Sequence, residues 1–231
     1  TESTELVFDG AAEQVRAVNQ RRYRDLILTE RPAQLPKGPT VGQLLAEHAS
    51  KQPDKFFQPN QETEQLIHRL RWLSEFQPKL ELPMFDDSFL TANLDHICQG
   101  KRSFDELRRH NWSETLVGAL NWEQRRKLEE LAPAKLKVPS GSHLRLDYCA
   151  NGPPVLKVRI QELFGATKTP TIGGGGVPVL LHLLAPNQRV QQITDDLAGF
   201  WKNTYAQVRR ELRQRYPKHP WPEDPITAPP T

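Results

Sequence analysis

The sequence predicts an α+β protein built from three successive regions with different patterns. Residues 1–37 are rich in strand formers, and residues 38–133 carry apolar residues at helical spacing. Residues 134–231 combine short strands, expected to form an antiparallel sheet, with a long C-terminal helix and a proline-rich tail. The twenty prolines exceed the usual share of roughly 5%. Most of them stand between periodic segments, which indicates short elements joined by stiff connections.

The overall composition is that of a water-soluble protein. The 231 residues are 37% hydrophobic and 26% charged, with a formal net charge of +3. No apolar run reaches the roughly 18 residues of a membrane-spanning helix, so none is predicted. The chain begins Thr-Glu-Ser, without Met or a basic and apolar leader, so we expect a piece of a longer cytoplasmic protein. Cys98 and Cys149 are expected to be reduced thiols.

Region 1–37 reads as strands around an Asp9-Gly10 turn. The predicted strands are Glu5–Phe8, Gln14–Val18 and Tyr23–Thr29. Three short strands do not bury enough surface for an independent core, so we expect them to finish a larger sheet. A linker rich in proline follows.

Region 38–133 reads as a small bundle of four to six helices. Their starts are predicted at residues that cap helices well, namely Thr40, Asn60, Asp86 or Asp87, Ser103 and Asn121. Pro133 is expected to stop the last helix. Trp112 and Trp122 are expected to be core or staple residues, and Trp72 is expected in the core.

Region 134–231 returns to strands before the final helix. The predicted strands are Lys135–Val138, His143–Tyr148, Val155–Val158 and Val177–Leu184, with a hairpin dipeptide at Asn151-Gly152. The almost wholly apolar Val177–Leu184 is predicted to be a central strand that is buried on both sides. Gly173–Gly176 lacks the Lys-Ser/Thr pair of a phosphate-binding loop, so a flexible hairpin loop is predicted.

The final helix carries the strongest functional signal. After Asp195-Asp196, apolar residues recur on one face, and six Lys or Arg residues against one acid occur between Leu197 and Trp221. One interpretation is a core-packing stripe with a solvated basic face. The other is nucleic-acid contact through cations on phosphates and rings on bases. The candidate contact residues are Lys202, Arg209, Arg210, Arg213, Arg215, Lys218, Tyr216 and His219.

The tail from Tyr216 to Pro225 is stiff because each proline fixes its own φ and restricts its neighbour. Two interpretations stay open, a strap packed on its own domain and a motif that docks a partner. Trp201, Tyr205 and Trp221 are the predicted structural anchors. We predict no catalytic residues and no metal site, because the histidines and cysteines lack ligand spacing and no GxSxG elbow occurs.

Several short sequence motifs in the last third of the chain resemble those of one helicase family. They include Arg145-Leu-Asp-Tyr148, Gln161-Glu-Leu-Phe-Gly165, Val177-Pro-Val-Leu-Leu-His-Leu-Leu184, Phe200-Trp201 and Arg215-Tyr-Pro-Lys-His219. Taken in order, they resemble the C-terminal region of HrpB-type bacterial DExH-box ATP-dependent helicases. The ordered set covers roughly 85 residues from Gly141 to Pro225, and the resemblance upstream is looser.

The resemblance implies that ATP binding and the accessory role of this chain belong to different domains of a longer polypeptide. ATP and Mg²⁺ would bind to N-terminal RecA-like domains, whose motifs this chain lacks. Residues 1–37 would be the last strands of an oligonucleotide-binding (OB) fold. The chain itself would be a non-catalytic accessory region with two expected partners, RNA or single-stranded nucleic acid and the helicase core. The alternative is a scaffolding module that docks an unknown protein.

Overall fold

The computed structural model describes residues 2–24 and 26–231. The chain divides into two compact units that each draw on separate stretches of sequence. Unit 1 comprises residues 1–63 and 83–119, and unit 2 comprises residues 64–82 and 120–231. The predicted boundaries at residues 37 and 133 follow changes of sequence pattern and stay predictions.

The strands of unit 1 form an antiparallel meander. They are β1 (Glu2–Asp9), β2 (Gln14–Tyr23) and β3 (Leu26–Ala33), in the order β1-β2-β3. The side chain of Asp9 accepts hydrogen bonds from the amides of Ala11 and Ala12 and so stabilises the predicted turn. The third strand was expected to begin at Tyr23, but Tyr23 ends β2; Asp25, within that predicted strand, lies outside the described residues. Assignment of the meander to an OB fold stays a prediction.

Residues 38–133, all of which are described, contain seven α-helices, more than the four to six that the sequence predicted. They are α1 (Pro39–Ser50), α2 (Pro53–Phe56), α3 (Gln61–Phe76), α4 (Asp87–Ile97), α5 (Phe104–Arg108), α6 (Trp112–Gly118) and α7 (Trp122–Leu131). Asp86 caps α4, and Ser103 and Asn121 form the predicted capping boxes. The cap predicted at Thr40 is wrong, because α1 begins one residue earlier with Pro39 at its first position and Gly38 before it.

The core of unit 1 forms where α1 packs on α4 and on the first two strands. Leu45, Phe56, Phe104 and Leu107 are fully buried in it. The remaining buried members are Val15, Val41, Ala46, Ala49, Leu90, Leu94, Ile97, Cys98 and Trp112. Burial of this many apolar side chains is the main stabilising contribution to such a unit.

Unit 2 is built on a five-stranded sheet. The strands are β4 (Lys135–Lys137), β5 (His143–Asp147), β6 (Val155–Arg159), β9 (Leu180–Leu184) and β10 (Val190–Thr194), in the order β10-β9-β6-β5-β4. The apolar segment Val177–Leu184 supplies the interior strand β9 from Leu180 onward. The prediction of burial on both sides is wrong, because Leu180 and His182 are only half-buried. The expectation of a wholly antiparallel sheet is wrong, because β6 and β9 run parallel. The residues between them carry the chain back to the end of the sheet where β6 began.

Part of that connection is the glycine-rich hairpin. β7 (Thr171–Ile172) pairs with β8 (Val177–Pro178) across the four glycines, as the loop prediction required. Gly173, Gly174 and Gly175 adopt φ values of 63°, 69° and 94°. Residues with a Cβ rarely adopt this left-handed backbone conformation, whereas glycine adopts it without steric cost.

The apolar face of the unit 2 sheet is buried at Leu146, Leu156, Leu181 and Leu183. Phe164 is also buried, and its ring centroid lies 6.1 Å from that of Trp201 and 6.2 Å from that of Tyr205. Trp122 was expected to be a core or staple residue, but its side chain is 76% exposed at the start of α7. Among the described residues, no helix combines the length and the apolar character that crossing a bilayer requires.

Candidate nucleic-acid interface

The C-terminal helical segment begins where the sequence predicted and is less regular than predicted. Asp196 caps it by accepting from the Gly199 amide at 2.8 Å. The segment comprises α8 (Leu197–Gly199), a π-helical turn (Phe200–Thr204) and α9 (Tyr205–Arg215). The prediction of one long regular helix is therefore not confirmed. A π turn inserts extra rotation into a helix, so a face projected at 100° per residue drifts across it.

The apolar face of this segment is anchored by hydrogen bonds as well as by packing. Trp201 and Tyr205 are 6% and 2% exposed. The Trp201 indole donates to the Ala166 carbonyl at 2.9 Å, and the Tyr205 hydroxyl donates to the Pro222 carbonyl at 3.0 Å. Burial raises the pKa of Tyr205 to about 12, so its hydroxyl remains a donor throughout the physiological range.

The tail is attached to its own unit at several points along its length. Trp221 is 7% exposed, and its indole donates to the Tyr216 carbonyl at 2.9 Å. Further on, the Gly165 amide donates to the Pro225 carbonyl at 2.9 Å, and the Thr231 amide donates to the Gln161 carbonyl at 3.1 Å. Asp224 closes a turn by accepting from Ile226 and Thr227, and these bonds lower the pKa of its carboxyl. The geometry is that of a strap.

Arg209 is engaged by this strap. Its Nε donates to the Trp221 carbonyl at 2.9 Å, and its guanidinium forms an ion pair with Glu223 at 3.2 Å. Only 21% of the Arg209 side chain is exposed. A guanidinium held in this way contributes to the packing of the tail, so Arg209 is the least available of the predicted contact residues.

The other predicted cations are exposed, and they do not form one patch on α9. They are Lys202, Arg210, Arg213, Arg215 and Lys218. Arg210 and Arg213 are three residues apart and therefore neighbours on one side of α9. Arg215 lies roughly 160° around the helix from Arg213 at 100° per residue. The Lys202 side chain leaves from the π turn.

The two rings proposed for base stacking lie together beyond the helix. Tyr216 is half-buried and His219 is exposed. Their ring centroids are 6.2 Å apart in an edge-to-face arrangement. An exposed imidazole beside a phenol ring, flanked by Arg215 and Lys218, has the chemistry of a small base-stacking platform next to cations.

The described side chains that commonly bind metal ions do not lie close enough together to form a site. Within the part of the chain that the structure describes, no cluster of three or more His, Cys, Asp or Glu side chains could hold a metal ion. Cys98 is buried and Cys149 is exposed, and both are free thiols. Burial raises the pKa of Cys98 to about 11, which keeps that thiol protonated and unreactive.

A second group of basic residues was not singled out from the sequence. Lys135, Lys137, Arg145, Lys157 and Arg159 alternate with apolar residues along β4, β5 and β6. A period of two places alternate residues on one side of a strand. Counting charge at that period, as well as hydrophobicity, would have found them.

Comparison with known proteins identifies the class. The family described as ATP-dependent helicase C-terminal (HrpB_C) matches residues 93–225, more than half of the chain. The chain therefore belongs to this family of helicase C-terminal regions.

Individual proteins of known name agree with this assignment. The chain is 40% identical over 180 residues to the ATP-dependent RNA helicase HrpB of Escherichia coli K12, covering 74% of this chain and 22% of that protein. The crystal structure of the E. coli DExH-box NTPase HrpB matches with a TM-score of 0.81 at 34% identity, over 100% of this chain and 29% of that one. A crystal structure titled as the E. coli DEAH/RHA helicase HrpB matches with a TM-score of 0.71 at 33% identity, over 96% of this chain and 28% of that one. The chain spans less than a third of each.

Proposed function

We propose that this chain is a non-catalytic accessory region of a cytoplasmic ATP-dependent RNA helicase and that it holds nucleic acid for the motor. Membership of the helicase C-terminal family is the observation that carries the proposal. The activity of the motor would reside in polypeptide outside this chain, as the small covered share of the relatives suggests.

The glycine loop of this chain does not fit the phosphates of ATP. The glycine loop is the one sequence feature that suggested phosphate binding, and its backbone is already occupied. The amides of Gly173, Gly175 and Gly176 donate to the carbonyls of Leu131, Ile172 and Gly173. A phosphate-binding loop needs such amides free to converge on the anion. We therefore propose that ATP and Mg²⁺ bind elsewhere in the polypeptide.

The exposed cations at the C terminus support a role in binding nucleic acid. Lys202, Arg210 and Arg213 are exposed, and packing of the segment does not require their charge. Because the net charge is only +3, attraction to a polyanion must come from local groups.

The test is the salt dependence of binding to a fluorescein-labelled single-stranded RNA. For single strands, the logarithm of affinity changes by roughly 0.7 per phosphate contact for each tenfold change in salt. Replacing Lys202, Arg210 and Arg213 together by Glu should lower the slope by about 2 and weaken binding.

A matched control changes the same charge elsewhere. Lys51, Lys55 and Lys79 are exposed, and replacing them by Glu should leave the slope near that of the parent chain. If the unsubstituted chain fails to bind RNA even at about 50 mM salt, where electrostatic binding is strong, the proposal is rejected.

One observation favours the scaffolding alternative. Tyr23, Leu26, Ile27 and Leu28 are 63%, 68%, 50% and 57% exposed at the turn between β2 and β3. Exposed apolar groups that lie together commonly mark a protein interface. In that case Leu26→Asp/Leu28→Asp should abolish co-purification with the separately expressed helicase core and leave RNA binding unchanged.

A further inference from the structure

The five-stranded sheet of unit 2 has two faces of opposite character. Leu146, Leu156 and Val158 lie on one face, and they are 1%, 0% and 1% exposed. Leu181 and Leu183 on β9 are also fully buried. Alternate residues of these strands point to the other face, which is exposed to half-buried in β4, β5 and β6.

One row of side chains on this second face crosses all five strands. Lys135 pairs with Arg145, Lys157 pairs with His182, and His182 pairs with Ile193. Asp147 accepts from the Lys157 ammonium at 2.8 Å, so the odd-numbered residues of β5 and β6 share the same side. Four steps between strands make the row about 19 Å wide.

The charge of this face is strongly unbalanced. Among the described residues of these strands, five Lys or Arg side chains lie on it against the single carboxylate of Asp147. Arg159 ends β6 on the same side, where it also pairs with buried Glu162 at 3.4 Å. His143 stands opposite Lys137 and adds an exposed imidazole.

Lys135 and Arg145 are direct cross-strand partners, so two cations lie side by side at this end of the row. A polyanion laid across the face would interact with both and release counterions.

The far end of the row has a different chemistry. His182 is half-buried, and Ile193 is 52% exposed beside it. Imidazole rings and flat apolar surface accept stacked bases, which single strands present and duplexes keep inside the helix. The cations at one end of the row can contact phosphates, and the stacking surface at the other end can contact an unpaired base.

We infer that this sheet face binds single-stranded nucleic acid, with phosphates on Lys135, Arg145 and Lys157 and a base against His182. The inference rests on the proposed function, in which the region holds nucleic acid, and places binding on a surface distinct from α9. The strand would run across the β-strands, along the row.

The experiment compares variants of the whole chain by fluorescence anisotropy on a labelled twelve-nucleotide oligo-uridine, a matched oligo-thymidine and an RNA duplex. Lys135→Gln/Arg145→Gln/Lys157→Gln should lower the salt slope on both single strands by about 2. Lys51→Gln/Lys55→Gln/Lys79→Gln removes the same charge and should leave it unchanged. His182→Ala should weaken single-strand binding roughly tenfold and leave duplex binding unaltered.

Melting curves of each variant establish that it is folded, and the outcomes separate the two surfaces. Loss in the sheet variant with retention in the α9 variant supports the inference and rejects the helix as the site. Normal RNA binding by a folded sheet variant overturns the inference and leaves the proposed function standing. If the sheet variant binds RNA normally but no longer associates with the helicase core, the inference is also overturned. The face would then be a protein-docking surface, and the proposed function would still stand. Failure of the unsubstituted chain to bind overturns both.

Discussion

At the scale of single residues, contacts with the tail determine the roles of two side chains. Arg209 was predicted to contact phosphate, and its guanidinium instead bonds the Trp221 carbonyl and Glu223. Trp221 could have been a docking residue, and it is buried and bonded to the Tyr216 carbonyl. Both contacts form because the rigid tail folds back onto α9. The residue types of Arg209 and Trp221 do not predict where the tail folds.

Trp221→Ala should strongly destabilise unit 2. A large aromatic side chain that is 7% exposed leaves a cavity when truncated, which typically costs about 3–5 kcal/mol. Ile226→Ala in the same tail is the control, because Ile226 is 44% exposed and should change stability by less than about 0.5 kcal/mol. Thermal unfolding measures both. A Trp221→Ala variant with an unchanged melting temperature would contradict the strap.

At the scale of elements, local signals and tertiary contacts differ in how far they can be read from sequence. The caps at Asp86, Ser103 and Asn121 were predictable because a side chain bonds amides within three residues of itself. The parallel pairing of β6 with β9 was not, because it depends on where a connection of some twenty residues returns. Nor was the π turn at Phe200–Thr204, which has no simple residue signature.

Two helical glycines should respond to alanine in opposite directions. A Cβ at Gly42 in α1 would lie 2.6 Å from the Cys98 carbonyl oxygen, and a Cβ at Gly118 in α6 would meet no atom within 4 Å. Gly42→Ala should therefore force α1 and α4 apart and destabilise the chain, despite its better helix propensity. Gly118→Ala should stabilise by up to about 0.5–1 kcal/mol. Chemical denaturation of both variants tests this, and equal gains at the two sites would show that α1 has room for a side chain.

At the scale of the whole molecule, each compact unit combines segments that are distant in sequence. Unit 2 joins residues 64–82 to residues 120–231, so the pattern change near residue 133 falls inside it. Composition and periodicity report what a segment is made of. They do not report which distant segment it packs against, because that choice depends on shape and burial after the elements have formed.

The whole chain should neither bind nor hydrolyse ATP when isolated. Its glycine loop uses its amides within the protein, and three of the glycines have left-handed backbone that shapes a hairpin. Calorimetric titration with ATP and Mg²⁺ should show no saturable heat, and phosphate release should stay at background. Saturable binding that is lost in Gly174→Val would reverse this conclusion.

The sequence by itself determined the class of this protein, most of its local structure and its candidate cations. The sequence motifs of the family, the helix caps, the hairpin dipeptides and the spacing of apolar residues each depend on residues close together in sequence. They can therefore be recognised one segment at a time. Only the tertiary structure decided which cations remain exposed. It joined Arg209 to the tail, exposed Trp122, and brought basic residues from β4, β5 and β6 into one row. Those outcomes depend on register and on packing between distant segments, which a linear pattern does not specify.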